Sequence, residues 1–191
     1  ADDLAPTAIA ETVAQKVGVA RATCSWPSVL VLGVLAGAYI AFGAMLSATV
    51  SFDLPARMGL GFSRFMAGAV FSMGLMLVVI AGGELFTGNN LMVCSAAAGK
   101  IPFGVMLARW GVVYVANFAG AVLMALLFVY SGLWTFGDGA LGAAAVRTAY
   151  AKVSLGFLPA LLRGVGCNWL VCLAVWMALA SRQTIGKIFA I

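Results

Sequence analysis

The chain has 191 residues, of which 64% are hydrophobic and only 9% are charged, and its mean hydropathy is +1.10. Because a soluble domain carries about 25% charged residues, this composition excludes a soluble globular protein and predicts an integral membrane protein. The net charge of +5 comes from single, scattered basic residues, so no nucleic-acid partner is expected. The chain has no histidine and no C-x-x-C motif among its four cysteines, so neither a metal site nor a cofactor is predicted.

The first predicted element is a short amphipathic helix over residues 4–22. Apolar Leu4, Ile9 and Val13 recur along it, with polar Glu11 and Lys16 between them. This pattern is typical of an interfacial helix that lies along the membrane or packs against a neighbouring subunit. Trp26-Pro27 follows directly, and an indole at this point marks the headgroup level of a bilayer.

Four long apolar runs follow, and each is long enough to cross a bilayer, which takes about 20 helical residues. They lie at residues 28–50, 65–98, 110–130 and 155–180, and a further apolar run starts at 188–191 as the beginning of a fifth span. Polar or Gly/Ala-rich segments at 100–109 and 131–146 are predicted as loops. We therefore predict a single transmembrane domain over residues 1–191 whose fold class is all-α.

The first span carries Gly33-x-x-x-Gly37. Membrane helices use small residues at this spacing to bring their backbones into close contact. We therefore expect this face of the span to pack closely.

The most informative segment, residues 82–90, interrupts the second span with three glycines, two asparagines and a carboxylate. In lipid every backbone N–H and C=O needs a partner, so a break at membrane depth requires surrounding protein or a water-filled cavity. We predict a non-helical loop over 82–90 between two half-helices, as in transporters that bind their substrate near the midplane.

Glu84 is an acidic residue deep in an apolar context, where a carboxylate is costly and usually functional. It either accepts backbone N–H bonds and holds the loop in shape or relays protons, and the many nearby loop donors favour the first role. Gly83, Gly88 and Asn89 are assigned the same loop-structuring role.

The next three residues of the break leave two interpretations open. Leu85 and Phe86 either close a pore as an apolar gate or are ordinary packing residues. Thr87 either donates its hydroxyl to a passing anion or caps a helix.

Polar residues around the fourth span also have two interpretations. Lys152 either snorkels to lipid headgroups or attracts anions at a vestibule. Arg163 needs a partner or a water-filled cavity, and Asn168 is of a type that often hydrogen-bonds a neighbouring helix.

Basic residues in short loops favour a cytoplasmic N-terminus. With that orientation the inner loops carry six basic residues: Lys16, Arg21, Lys100, Arg109, Arg182 and Lys187. The outer loops carry four: Arg57, Arg64, Arg147 and Lys152.

Several motifs together resemble the formate/nitrite transporter family. They are GGELFTGNN at 82–90, AYAKVSLGF at 149–157, GVGCNWLVCLAVWMALASR at 164–182 and, in the first span, GVLAGAYIAFGAMLSA at 33–48. The resemblance implies an aquaporin-like bundle of six spans with a broken second span and one pore per subunit. It also implies a homopentamer in the bacterial inner membrane, within which the small-residue face of the first span packs closely.

The resemblance assigns pore positions to particular residues. The family's gate loop falls on Leu85, Phe86 and Thr87, its constriction on Phe71 and Leu75, and its pore lysine and asparagine on Lys152 and Asn168. The family's broken fifth span, with a pore histidine, and its sixth span are expected to lie beyond residue 191.

The resemblance implies that the protein is a channel or transporter for a small monovalent anion and not an enzyme. Formate is the favoured substrate, crossing as the neutral acid or with proton coupling, and nitrite and hydrosulfide remain alternatives. A water- or glycerol-type pore is the alternative of another class, although its paired Asn-Pro-Ala loops are absent.

Overall fold

The structure is a computed structural model that describes residues 3–191, and long helices make up most of this part. The helices, in chain order, are α1 Pro6–Thr12, α2 Gly18–Thr23, α3 Trp26–Ser51, α4 Leu54–Met58, α5 Leu60–Met76, α6 Phe86–Asn89, α7 Met92–Ala97, α8 Phe103–Tyr130, α9 Ala140–Val153, α10 Phe157–Ala180 and α11 Thr184–Ala190. π-helical turns at Val13–Val17 and Leu77–Gly82 join α1 to α2 and extend α5, and a 3₁₀ turn at Leu133–Thr135 precedes α9.

Four helices are long and apolar enough to cross a membrane: Trp26–Ser51, Leu60–Gly82, Phe103–Tyr130 and Phe157–Ala180. The second of them ends in the middle of the predicted 65–98 run, at Gly82, and two short helices, α6 and α7, complete that run. The predicted all-helical membrane fold with a broken second span is therefore confirmed.

Two segments predicted as loops are partly helical. Helix α8 begins at Phe103, inside the predicted 100–109 loop, because Pro102 has the extended backbone of an N-cap and Arg109 is buried in contacts rather than solvated. Helix α9 begins at Ala140, inside the predicted 131–146 loop. Its alanine-rich sequence has high helix propensity, and the left-handed Gly139 marks its start.

The N-terminal helix packs on its own chain, against α7. Its expected position along the membrane or against a neighbouring subunit stays a prediction. Val13 is fully buried, and the Ser95 hydroxyl of α7 donates to the Val13 carbonyl over 3.2 Å. A Cβ at Gly18 would collide with Ser95, so the two helices touch closely. The Leu4 N–H also donates to the Ala180 carbonyl at the end of α10, over 2.9 Å.

Arg109 of α8 ties the end of α2 to the start of the first span, α3. Its Nη2 donates to the carbonyls of Ala22 and Cys24, over 2.9 and 2.7 Å. Its guanidinium lies 3.9 Å from the centroid of the Trp26 ring, in a cation–π contact. The charge at position 109 therefore serves packing inside the protein.

The first and third spans cross at glycine contacts. A Cβ at Gly37 would meet the Asn117 carbonyl of α8, and a Cβ at Gly120 would meet the Val34 carbonyl of α3. A Cβ at Gly33 would lie 2.7 Å from the Ala116 Cβ. The small-residue face of the first span is thus occupied inside the chain, and not by a neighbouring subunit of a ring.

This crossing predicts that alanine substitutions at two glycines of α8, Gly120 and Gly111, differ in their effect on stability. Gly120→Ala is expected to destabilise the protein by about 1–3 kcal/mol, because the methyl group has no room beside the Val34 backbone. A thermal melt in detergent measures this as a loss of about 2–4 °C per kcal/mol.

Gly111→Ala is the matched control, since nothing lies within 4 Å of a Cβ at that position. It is expected to leave the melting temperature unchanged or to raise it, because alanine favours a helix over glycine. Equal losses in the two variants would contradict the close crossing.

Candidate functional site

The break in the second span begins at two glycines. Gly82 has φ +98°, a conformation that favours glycine, and Gly83 is extended with φ −170° and ψ 153°. The chain stays extended to Leu85, and α6 then begins at Phe86. The predicted 82–90 loop is thus non-helical only at residues 83–85 and in the turn at 90–91, because Gly82 ends the π-helical turn and the Asn89 N–H bonds to the Leu85 carbonyl over 2.8 Å, which closes a helical turn.

The side chain of Asn117 satisfies the backbone of the break. Its Oδ1 accepts from the Phe86 N–H over 2.8 Å, and its Nδ2 donates to the Glu84 carbonyl over 2.8 Å and to the Gly33 carbonyl over 2.7 Å. The Glu84 N–H donates to the Leu32 carbonyl over 3.1 Å. Helices α3 and α8 therefore supply the partners that a break in lipid needs.

The position of Asn117 also gives the depth of the break. Asn117 lies near the middle of the 28-residue α8, so the extended segment lies near mid-membrane. This residue was missed among the site residues predicted from the sequence. The available signal was an asparagine alone in an apolar run, where such a side chain usually bonds to another helix.

Glu84 forms an ion pair with Arg21 of α2. Its Oε2 lies 3.7 Å from Arg21 Nε, and the two side chains are only 12% and 19% exposed. Arg21 Nη1 also donates to the Gly88 carbonyl over 2.7 Å. Burial lowers the pKa of Arg21, and the Glu84 carboxylate opposes that shift. Arg21 therefore ties α2 to the extended segment at Glu84 and to α6 at Gly88.

Phe86 and Asn89 face α8. The Phe86 ring packs edge-to-face on Trp110 and Tyr114, with centroids 6.2 and 5.4 Å apart. The Trp110 Nε1 donates to the Asn89 carbonyl over 2.9 Å, and Asn89 itself is buried. The Phe86 ring is therefore part of the packing that supports the break.

Thr87 faces α10, the helix that carries Asn168, on the other side of the break. The Cys172 thiol donates to the Thr87 carbonyl over 3.5 Å, and Asn168 Nδ2 lies 3.7 Å from the same sulfur. The structure thus brings two predicted pore residues together through a cysteine to which the sequence assigned no site role.

Leu75 and Leu85 meet in one apolar cluster. Both are buried, together with Ala36 of the first span and Val175 of α10. The two leucines also line a cavity of about 250 Å³ beside the break, whereas Phe71, Phe86 and Thr87 do not.

This cavity has further lining residues, which include Gly83, Gly88, Arg21 and Lys187. Of the predicted gate and constriction residues, the structure therefore brings only these two leucines to one cavity.

Phe71 and Lys152 lie away from this cavity. Phe71 is 40% exposed on α5, one turn before Leu75. Lys152 is exposed near the end of α9 and lines a separate cleft of about 830 Å³ between α3, α8 and α9, in whose walls alanine is the commonest residue. Lys152 precedes the 24-residue α10 and Lys187 follows it, so these two lysines lie at opposite ends of a helix about 36 Å long.

The family model described as "Formate/nitrite transporter" matches residues 7–191. The chain belongs to the formate/nitrite transporter family. This membership confirms the resemblance found in the sequence and places the chain among membrane transport proteins.

Individual members of the family cover most of this chain. The formate channel BtFdhC of Bacillus thuringiensis is 41% identical over 187 residues, which are 97% of this chain and 71% of the relative. The formate channel FocA of Escherichia coli K12 is 36% identical over 190 residues, 98% of this chain and 65% of the relative.

Solved structures of the family have the same fold. A pentameric formate channel with formate bound matches with a TM-score of 0.77 and 31% identity, over 86% of this chain and 64% of that one. An ion channel of the FNT family matches with a TM-score of 0.78 and 30% identity, over 97% and 71%. The chain thus spans about two thirds of the length of these relatives.

Proposed function

We propose that this transporter is a channel for small monovalent anions, with formate as its substrate. The observation that carries the proposal is the meeting of Leu75 and Leu85 at the break, beside a cavity that Arg21 and Lys187 line. The names of the relatives, formate channels in two bacteria, support formate as the anion.

The break has a clear physical role in this proposal. Asn117 bonds to the Phe86 N–H and the Glu84 carbonyl, and the Leu32 carbonyl accepts from the Glu84 N–H. Beside them the segment presents the apolar side chain of Leu85 to the cavity. A constriction of two leucines excludes water and hinders a hydrated ion. Because burying a bare charge is costly, formate crosses this point as neutral formic acid or together with a proton.

Glu84 keeps a structural role in the proposal. Its carboxylate is already paired with Arg21, and this pair holds α2 against the break. We therefore propose that Glu84 holds the gate in shape and does not relay protons.

Assembly and orientation complete the proposal. The transporter forms a homopentamer in the lipid bilayer of the bacterial inner membrane, with its N-terminus in the cytoplasm. The cavity that Arg21 lines then faces the cytoplasm, and Lys152 lies at the outer end, where it attracts anions. Asn168 contributes a polar group beside Thr87 on the way between them.

Uptake into liposomes that contain the intact protein tests the substrate. Formate, nitrite, hydrosulfide and glycerol are offered in turn at the same concentration, beside protein-free vesicles. Formate is expected to enter fastest, and glycerol is expected to stay at the protein-free rate. Rapid glycerol entry without formate entry would replace the proposal with a neutral-solute pore, and faster nitrite or hydrosulfide entry would reassign the anion.

A further inference from the structure

The cavity beside the break has two basic residues in its lining, Arg21 and Lys187, and their charges are used differently. Arg21 is paired with Glu84 and donates to the Gly88 carbonyl, so its guanidinium is committed to the structure. The ion pairs found within residues 3–191 do not include Lys187. Lys187 is therefore the cation of this cavity that is left to meet a solute.

The turn after α10 fixes the direction of the helix that carries Lys187. The Ser181 hydroxyl bonds to the Gln183 backbone, accepting from its N–H over 3.2 Å and lying 3.1 Å from its carbonyl oxygen. Gly186 lies so close to Ser181 that a Cβ at position 186 would collide with the hydroxyl. Helix α11 is thereby held back against the end of α10, whose Ala178 and Leu179 line the same cavity.

We propose that Lys187 is the anion-capturing residue at this mouth of the channel. The inference rests on the proposed function and names a residue that acts before the leucine constriction. A cavity of about 250 Å³ has room for a formate ion and several waters, at about 30 Å³ for each water. An ammonium with three rotatable donors is a compact point charge that suits a small, hydrated anion.

The apolar walls make this single charge effective. Cavity residues such as Leu75, Val78 and Val175 form a low-dielectric surround, which focuses the field of a cation and raises the local concentration of anions. The captured anion then lies next to Leu75 and Leu85. There it accepts a proton from hydronium in the water of the cavity, which leaves a water molecule, and formic acid crosses. The nearby cation also favours the anionic form, so capture and protonation are separate steps.

Lys187→Met tests the inference in liposomes of zwitterionic lipid that contain the intact protein. The variant keeps an unbranched side chain and removes the charge. At low ionic strength the formate concentration for half-maximal uptake is expected to rise about three- to tenfold, with the maximal rate unchanged. At high salt the difference is expected to disappear, because the charge is screened. Lys187→Arg is expected to restore the original value.

Arg182→Gln is the matched control, since Arg182 lies in the turn just before α11, does not line the cavity and is exposed. It is expected to leave half-maximal uptake unchanged. Lys187→Gln repeats the neutral substitution in case methionine alters the packing, and uptake of uncharged formamide reports whether the path itself is intact.

Three results would overturn the inference. The first is a normal half-maximal concentration in both neutral variants at low ionic strength. The second is an equal effect of Arg182→Gln. The third is an effect of Lys187→Met that occurs only in vesicles of anionic lipid, which would make Lys187 a headgroup contact. A failure of the proposed function looks different, because the unmodified protein would then take up no formate at all.

Discussion

Asn117→Leu is expected to abolish formate uptake while the long helices remain folded. The substitution keeps the volume but leaves the Phe86 N–H and the carbonyls of Glu84 and Gly33 without their partner. Each unsatisfied polar group costs roughly 1–3 kcal/mol, and no water is available at mid-membrane to replace the amide. Formate uptake by liposomes and helix content by circular dichroism are measured on the same preparation.

Asn90→Ala is the matched control for this prediction. Asn90 belongs to the same polar segment, and its side chain forms no hydrogen bond within residues 3–191. It is expected to retain most of the uptake and of the thermal stability. Normal uptake by Asn117→Leu would show that the break does not depend on the amide.

Alanine substitutions at Leu75 and Leu85 are expected to widen the size limit of the channel. Both leucines are buried in the cluster beside the break, and each loses most of its side chain. The unmodified protein is expected to exclude acetate and lactate, and the double variant is expected to admit both. Initial uptake rates of formate, acetate and lactate measure this limit, with assembly checked first.

Phe86→Ala tests whether the Phe86 ring acts in the gate or in the packing that supports the break. The sequence left open whether Phe86 is a gate or a packing residue, and the family resemblance placed it in the gate loop; in the structure the ring packs on Trp110 and Tyr114. Its loss is expected to cost about 0.5–1.5 kcal/mol for each aromatic pair and to lower the melting temperature without admitting lactate. Lactate entry through Phe86→Ala, with none through the leucine variants, would move the gate to the α8 side.

The fold was predictable from the sequence because its signals are local. Apolar runs of sufficient length predict spans, and a glycine-rich polar segment inside one of them predicts a break. The length of that break was not predictable, since the turn at Phe86–Asn89 depends on a cap from Asn117, 31 residues away. Helix α9 was missed because an alanine-rich segment outside the apolar runs was interpreted as a loop.

The partners of the site residues were less predictable than the residues themselves. Glu84 stands out in the sequence, but nothing local selects Arg21 as its ion-pair partner. Gly33 and Gly37 show that the first span packs closely, but not that it packs on α8 of the same chain. Such pairings depend on how distant segments meet, and a single sequence does not record this.

The route through the break is the central claim, and thiol labelling at Leu85 tests it most directly. In a protein whose native cysteines are replaced by serine, which keeps a donor for the Thr87 carbonyl at position 172, Leu85→Cys is treated with methyl methanethiosulfonate. Formate uptake is predicted to fall sharply on modification and to recover on reduction. The same treatment of Leu123→Cys, an exposed position on α8, is predicted to leave uptake unchanged. Full uptake after complete modification of Leu85→Cys would contradict a path that passes this residue.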